Sequence, residues 1–157
     1  MLGNEGYWKA QQHIQQARRK GERTLDIRGL KLRELPEAIA SLTELQQLYL
    51  SNNQLTELPE AIRSLSQLRV LYLSHNKLTE LPEAIASLTK LRQLDLKNNP
   101  LNPDLAAAYE QGTQAVLQYL RAKAQAQITL NEAKLILIVK ARWARVVCWA
   151  HCARMNG

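Results

Sequence analysis

Leucine recurs through the middle of the chain in a fixed frame. Leu45, Leu48, Leu50, Leu55, Leu58, Ile62 and Leu65 repeat as Leu68, Leu71, Leu73, Leu78, Leu81, Ile85 and Leu88. The segments 45–67 (LQQLYLSNNQLTELPEAIRSLSQ) and 68–90 (LRVLYLSHNKLTELPEAIASLTK) are identical at 16 of 23 positions. An earlier unit, 22–44, keeps Leu25, Ile27, Leu32, Leu35 and Pro36, and a last one opens as LRQLDLKNNPL at residue 91 and then diverges. Alternation at Leu48/Leu50 and Leu71/Leu73 predicts short strands with one face inward. Asn53, Asn76 and Asn99 recur at one place in the following turn, where a side-chain amide can satisfy backbone groups of a neighbouring coil. Leu-Pro at 35–36, 58–59 and 81–82 starts a new segment at a fixed φ. The E-A-I-x-S-L stretch supplies Ile62 and Leu65 as an outer wall.

One unit cannot bury its apolar face alone, so the units are expected to stack. About six aliphatic side chains per unit contribute on the order of 10 kcal/mol before chain entropy opposes them, which makes roughly three to four units a minimum. The open ends then need caps. Tyr7, Ala10, Ile14 and Ala17 lie at helical spacing, beside Trp8 and ahead of Gly21, and predict an amphipathic capping helix over 1–21. Arg18, Arg19 and Lys20 would suit a membrane-surface helix, but its apolar face is too thin. Asn102-Pro103-Asp104 is a helix start with Pro at the first helical position. Tyr109, Val116, Leu117 and Leu120 form the inner face of a second cap, which runs to about residue 128 with a break at Gly112-Thr113.

The pattern L-x-x-L-x-L-x-x-N-x-L, in register over 22–101, resembles the leucine-rich repeat family. That resemblance implies an α/β leucine-rich repeat solenoid of about 3.5–4 repeats of 23 residues, with helical N- and C-terminal caps. It further implies that the inner, concave sheet exposes the residues between the buried leucines. Asp26, Arg28, Gln47, Tyr49, Val70, Tyr72, Gln93 and Asp95 are therefore the candidate protein-binding residues. Tyr49 and Tyr72 should share one column flanked by Asp26 and Asp95, and exposed tyrosines among polar neighbours suit protein recognition. Arg69 and Arg92 form a neighbouring, solvated column.

Composition adds little to this picture and removes several rivals. Hydrophobic residues make up 46% and charged residues 22% of 157 residues, which is the composition of one globular domain. No apolar run approaches the ~20 residues of a membrane span, and residues 1–20 lack a signal-peptide core. Two cysteines make no disulfide framework, so a cytoplasmic setting is expected. The net charge of +7 comes partly from residues 139–157, which hold four basic residues and no acid; the remainder has 17 basic and 14 acidic residues, a net of +3. No catalytic constellation is visible, and no enzyme activity, cofactor or small-molecule substrate is expected. His13, His75 and His151 lie in unrelated segments, His75 standing where Asn52 stands one unit earlier. Glu34, Glu57 and Glu80, like Glu37, Glu60 and Glu83, recur only because the unit recurs. Cys148, His151 and Cys152 offer three zinc ligands without a fourth, so no metal site is expected.

After residue 128 the chain changes character. The run 129–138 (TLNEAKLILI) is apolar on both faces from Ala133 and predicts a buried strand of parallel-sheet type. Repeats, a helical linker and then this run resemble the junction in bacterial Roco proteins, where such a strand opens a Ras-like GTPase domain. A phosphate-binding G-x-x-x-x-G-K-[ST] loop follows there. Here residues 139–157 read VKARWARVVCWAHCARMNG instead. Restoring one G before codon 139, with permissive codon choices, regroups this stretch to G-E-G-E-V-G-K-S-C-L-L-G-A-L. The second loop glycine and the leucines derived from Cys148-Trp149 and His151-Cys152 are forced by the genetic code. The expectation is an out-of-frame tail over 139–157, with 129–138 as a remnant first strand. Two rival functions remain at this point: a GTP-binding fragment, and a nucleic-acid binder using the basic, tryptophan-containing tail.

Overall fold

The computed structural model describes residues 5–154, with side chains as far as residue 135. Two compact units divide the chain at Arg121/Ala122. The first opens with helix α1 (Glu5–Lys20), whose Ala10, Ile14 and Ala17 are buried while Trp8 stays exposed. Gly21 ends it as expected. Its φ of +64° lets the Glu22 N–H reach the Ala17 carbonyl at 2.9 Å. Four three-residue strands follow: β1 (Thr24–Asp26), β2 (Gln47–Tyr49), β3 (Val70–Tyr72) and β4 (Gln93–Asp95). They form one parallel sheet in the order β1-β2-β3-β4, each pair offset by one 23-residue unit. After each Leu-Pro the chain makes a single 3-10 segment, Glu37–Ser41, Glu60–Ser64 and Glu83–Ser87, closed by bonds such as Ile62 N–H to the Pro59 carbonyl at 3.1 Å. Leu25, Leu48, Leu71 and Leu94 line the inside of the sheet, and Ile39, Ile62 and Ile85 meet them from the 3-10 side.

The asparagines hold the turns together. Asn76 accepts from the Leu55 N–H at 3.1 Å and donates to the Leu50 and Leu73 carbonyls at 3.0 and 2.8 Å. Asn53 does the same with Leu32, Ile27 and Leu50, and Asn99 with Leu78, Leu73 and Leu96. Each amide thus ties its own strand end to the one before it. The first coil has no predecessor and carries Leu30 at the equivalent place, packed against the core. Helix α1 takes the position of the missing coil. A Cβ on Gly6 would stand 2.0 Å from the Leu30 carbonyl oxygen, so this contact requires glycine. Gly6→Ala, which would favour an isolated helix by roughly 0.5–1 kcal/mol, is expected instead to destabilise the protein by about 1–3 kcal/mol in urea unfolding.

At the other end Asn102 caps helix α2 (Pro103–Glu110), its Oδ1 accepting the Leu105 N–H at 2.8 Å with Pro103 at the first helical position. Gly112 (φ +107°) breaks the chain before helix α3 (Thr113–Arg154). Val116, Leu117 and Leu120 are buried as expected, Leu105 joins them, Tyr109 is only partly buried, and the Arg121 Nε donates to the Ala86 carbonyl at 3.3 Å.

Two expectations need correction. The strand foreseen over 129–138 is helix, and the C-terminal helix does not end near residue 128. A parallel strand needs a neighbour for its N–H and C=O groups, and this run joins neither edge of the β1–β4 sheet; a helix satisfies those groups internally. Six of its ten residues, Leu130, Glu132, Ala133, Lys134, Leu135 and Leu137, are also good helix formers. In the second unit Ile128, Leu130 and Leu135 are exposed. Among the described residues no helix is long and apolar enough to cross a membrane. The side chains of Trp143, Cys148, Trp149, His151 and Cys152 lie outside the described residues.

Candidate functional site

The register brings the predicted residues together. Thr24, Gln47, Val70 and Gln93 form one cross-strand column, and Asp26, Tyr49, Tyr72 and Asp95 form another on the same face. Leucines alternate inward between them, so both columns face out. Tyr49, Tyr72, Gln47, Val70 and Asp95 are half-buried, while Asp26 and Gln93 are exposed.

The two tyrosine rings meet edge to face, with centroids 5.3 Å apart at 72°. Tyr49 donates its hydroxyl to Gln47 Oε1 at 2.9 Å, and Tyr72 reaches Gln93 Oε1 at 3.4 Å. Arg28, one column further on, forks onto Asp26 with Nε to Oδ1 at 2.9 Å and a second guanidinium nitrogen to Oδ2 at 2.6 Å. Its Cζ also lies 5.4 Å from the Tyr49 ring centre. The face is therefore a row of pre-positioned aromatic and polar groups rather than a cavity. Among the described residues, hollows lie away from this face, one between α1 and the first turn and one between the Leu-Pro bends. Among the described residues no cluster of His, Cys, Asp and Glu could hold a metal ion.

A family model described as a leucine-rich repeat region matches residues 21–136. The chain belongs to the leucine-rich repeat family. Among solved structures, a leucine-rich repeat protein of Leptospira interrogans aligns at 33% identity over 47% of this chain, with a TM-score of 0.43. The alignment spans only 25% of that protein's length. No curated protein matches the chain.

Within this leucine-rich repeat chain, two features of the strand face escape sequence reading. Tyr109, expected only as a core residue of the cap, donates its hydroxyl to Asp95 Oδ1 at 3.2 Å and accepts from the Leu96 N–H at 3.2 Å. Burial, with the Asp95 carboxylate nearby, holds its hydroxyl above the ordinary tyrosine value. Ser74 and Ser51 join through their hydroxyls at 3.0 Å, a pairing that the 23-residue spacing could have disclosed. Gly29, Asn52, His75 and Asn98 share a left-handed φ of 56–70°, so His75 stands where only Gly, Asn, Asp or His is well tolerated. It is exposed, and the Asn98 amide meets its Nε2 at 3.0 Å, which accounts for the histidine as a turn residue.

The bond from Arg28 holds the Asp26 carboxyl below its ordinary value, outweighing the opposing effect of partial burial. A carboxylate lowered in this way stabilises the folded state above the ordinary carboxylate range and loses that contribution as pH falls through its own lowered value. Both side chains are about half exposed, so the effect on overall stability is small. The effect on titration is not. In a carboxyl-carbon NMR titration Asp26 is expected to protonate below the ordinary aspartate range, and Arg28→Ala to raise it back toward that range.

Proposed function

We propose that this chain is a non-catalytic protein-interaction module, a leucine-rich repeat solenoid of about four coils over 22–101 that docks a protein partner on its strand face. The observation that carries this reading is the Tyr49–Tyr72 pair, outward-facing, half-buried and packed edge to face, with the Tyr49 hydroxyl bonded to Gln47. Rings already held in place give contact area at little further entropy cost on binding. Asp26, Arg28, Gln47, Val70, Gln93 and Asp95 form the polar rim of that surface, and the setting proposed is the cytoplasm.

Site-specific photo-crosslinking in the source cells tests it. A benzophenone side chain at position 72 should capture a partner, whereas one at the exposed position 63, on a 3-10 segment, should not. Once the partner is in hand, Tyr72→Ala is expected to weaken binding about 10- to 30-fold, the roughly 1.5–2 kcal/mol of an aromatic anchor. Adducts at 63 and none at 72 would place the interface elsewhere.

The residues of 102–138 support a second, evolutionary reading. We infer that the repeats derive from the N-terminal part of a Roco-type protein, with 129–138 once leading into its GTPase domain and 139–157 translated out of frame. The gene sequence from codon 130 onward tests this. A one-base shift that restores GEGEVGKS and an open downstream frame supports it, and the lack of such a frame removes it.

A further inference from the structure

A line of exposed basic residues stands at the start of the strands. One residue ahead of each strand the register continues as Arg23, Gln46, Arg69 and Arg92. These positions are joined by main-chain bonds from the Gln46 N–H to the Arg23 carbonyl at 2.7 Å, from Arg69 to Gln46 at 2.8 Å and from Arg92 to Arg69 at 2.9 Å. Neighbouring strands lie about 4.8 Å apart, so Arg69 and Arg92 stand side by side at the start of β3 and β4, three residues before Tyr72 and Asp95. All three arginines are exposed, and no ion pair to them occurs among the described residues. Beyond the other end of the strands lie Arg28, already neutralised by Asp26, and the exposed Lys97. The carboxylates bordering this surface are few. Asp26 is paired with Arg28, Asp95 is held by the Tyr109 hydroxyl and the Lys97 N–H, Glu22 pairs with Lys20, and Glu44 stands one column further out.

We propose that the partner presents an acidic segment, seating one or two carboxylates on the Arg69–Arg92 edge and an apolar or aromatic side chain against Tyr49 and Tyr72. This rests on the strand-face reading above and adds the chemistry of the occupant. Unpaired guanidinium groups side by side match carboxylates in a forked geometry, and charge complementarity of this kind sets which partner is accepted and how fast it arrives. The arrangement favours an acidic peptide over a nucleic acid. Asp26 and Asp95 bracket the tyrosine row, so an unbroken line of phosphates laid along it would run against Asp95. A peptide can be acidic at the arginine edge and neutral over the rings, where Gln47 and Gln93 supply amides for its backbone.

The test is selection of random displayed peptides on the full-length chain, followed by fluorescence-anisotropy titration of the winning sequences as synthetic peptides. Winners should carry Asp or Glu beside an aromatic or aliphatic residue. Arg69→Glu and Arg92→Glu should each weaken them about tenfold or more, with the loss shrinking as salt screens the charges. Arg69→Lys, which keeps the charge but not the fork, should lose less affinity than Arg69→Glu, and Arg63→Glu should change nothing. Circular dichroism of each variant separates lost binding from lost folding. If Tyr72→Ala abolishes binding and the arginine reversals do not, the acidic-partner inference is overturned while the strand-face reading stands. If neither substitution matters, the strand-face reading itself fails. If polyuridylate binds more tightly than any selected peptide and the same reversals abolish it, the occupant is a nucleic acid and the inference is wrong.

Discussion

Asn76→Ala is expected to destabilise the protein by about 3 kcal/mol or more, the largest effect of any single polar substitution in the repeats. The reason is the number of backbone groups that one buried amide serves. Removing it leaves the Leu55 N–H without its acceptor, and an orphaned buried donor costs roughly 1–3 kcal/mol by itself. The Leu50 and Leu73 carbonyls each lose one donor but keep another, from Asn53 and Asn99 respectively. They contribute smaller losses, on the order of 1 kcal/mol each. Asn76→Asp separates the two halves of the argument. It keeps the acceptor for Leu55 but turns a carboxylate oxygen toward two carbonyl oxygens. That variant should be worse than alanine at neutral pH. Its carboxyl would be pushed above the ordinary aspartate value, so its stability should recover as pH falls and the group protonates. Urea midpoints at neutral and acidic pH, with Asn76→Ala as the pH-insensitive reference, check both points.

The same ladder shows what the sequence could and could not disclose. A 23-residue period with leucine at fixed offsets leaves one consistent packing, and the strand register, the two outward columns and the capping role of 5–20 all follow from it. Asn53, Asn76 and Asn99 are legible because a polar residue recurring inside an apolar frame must be satisfying something. Leu30 in that column reads as a defect until α1 is seen to occupy the place of a preceding coil. Departures from the repeat were harder to read. Tyr109 sits on a helix with its own period, and no spacing relates it to Asp95. The Asp26–Arg28 fork is an i, i+2 contact that any strand permits and none requires. At 129–138 an apolar run of strand length is also a helix of good formers, and periodicity alone does not separate the two. The absence of a sheet neighbour decides it.

Ending the chain after Arg121 should leave the fold of the first unit intact, with its unfolding midpoint within about 0.5 kcal/mol of the full chain, as for a surface change. Every cap contact described above is kept by that truncation: the Asn102 cap, the buried Leu105, Val116, Leu117 and Leu120, and the Arg121 bond to the Ala86 carbonyl. Ending it after Leu101 removes all of them. Leu88, Leu91, Leu94 and Leu96 of the last coil would then lose the cover beside them, and the Thr79 carbonyl would lose the Asn102 N–H. Re-exposing the equivalent of two leucine side chains costs about 3–6 kcal/mol, a large part of the ~5–15 kcal/mol that holds a typical domain. In a stack whose coils touch only their neighbours, an uncovered terminal coil frays and carries the next with it. The shorter chain should therefore show a broadened or missing urea transition and a tendency to aggregate through its open edge. Equal stability of the two truncations would mean that helices α2 and α3 do not close the core. Loss of folding on ending at Arg121 would give residues 122–157 a structural role in the first unit.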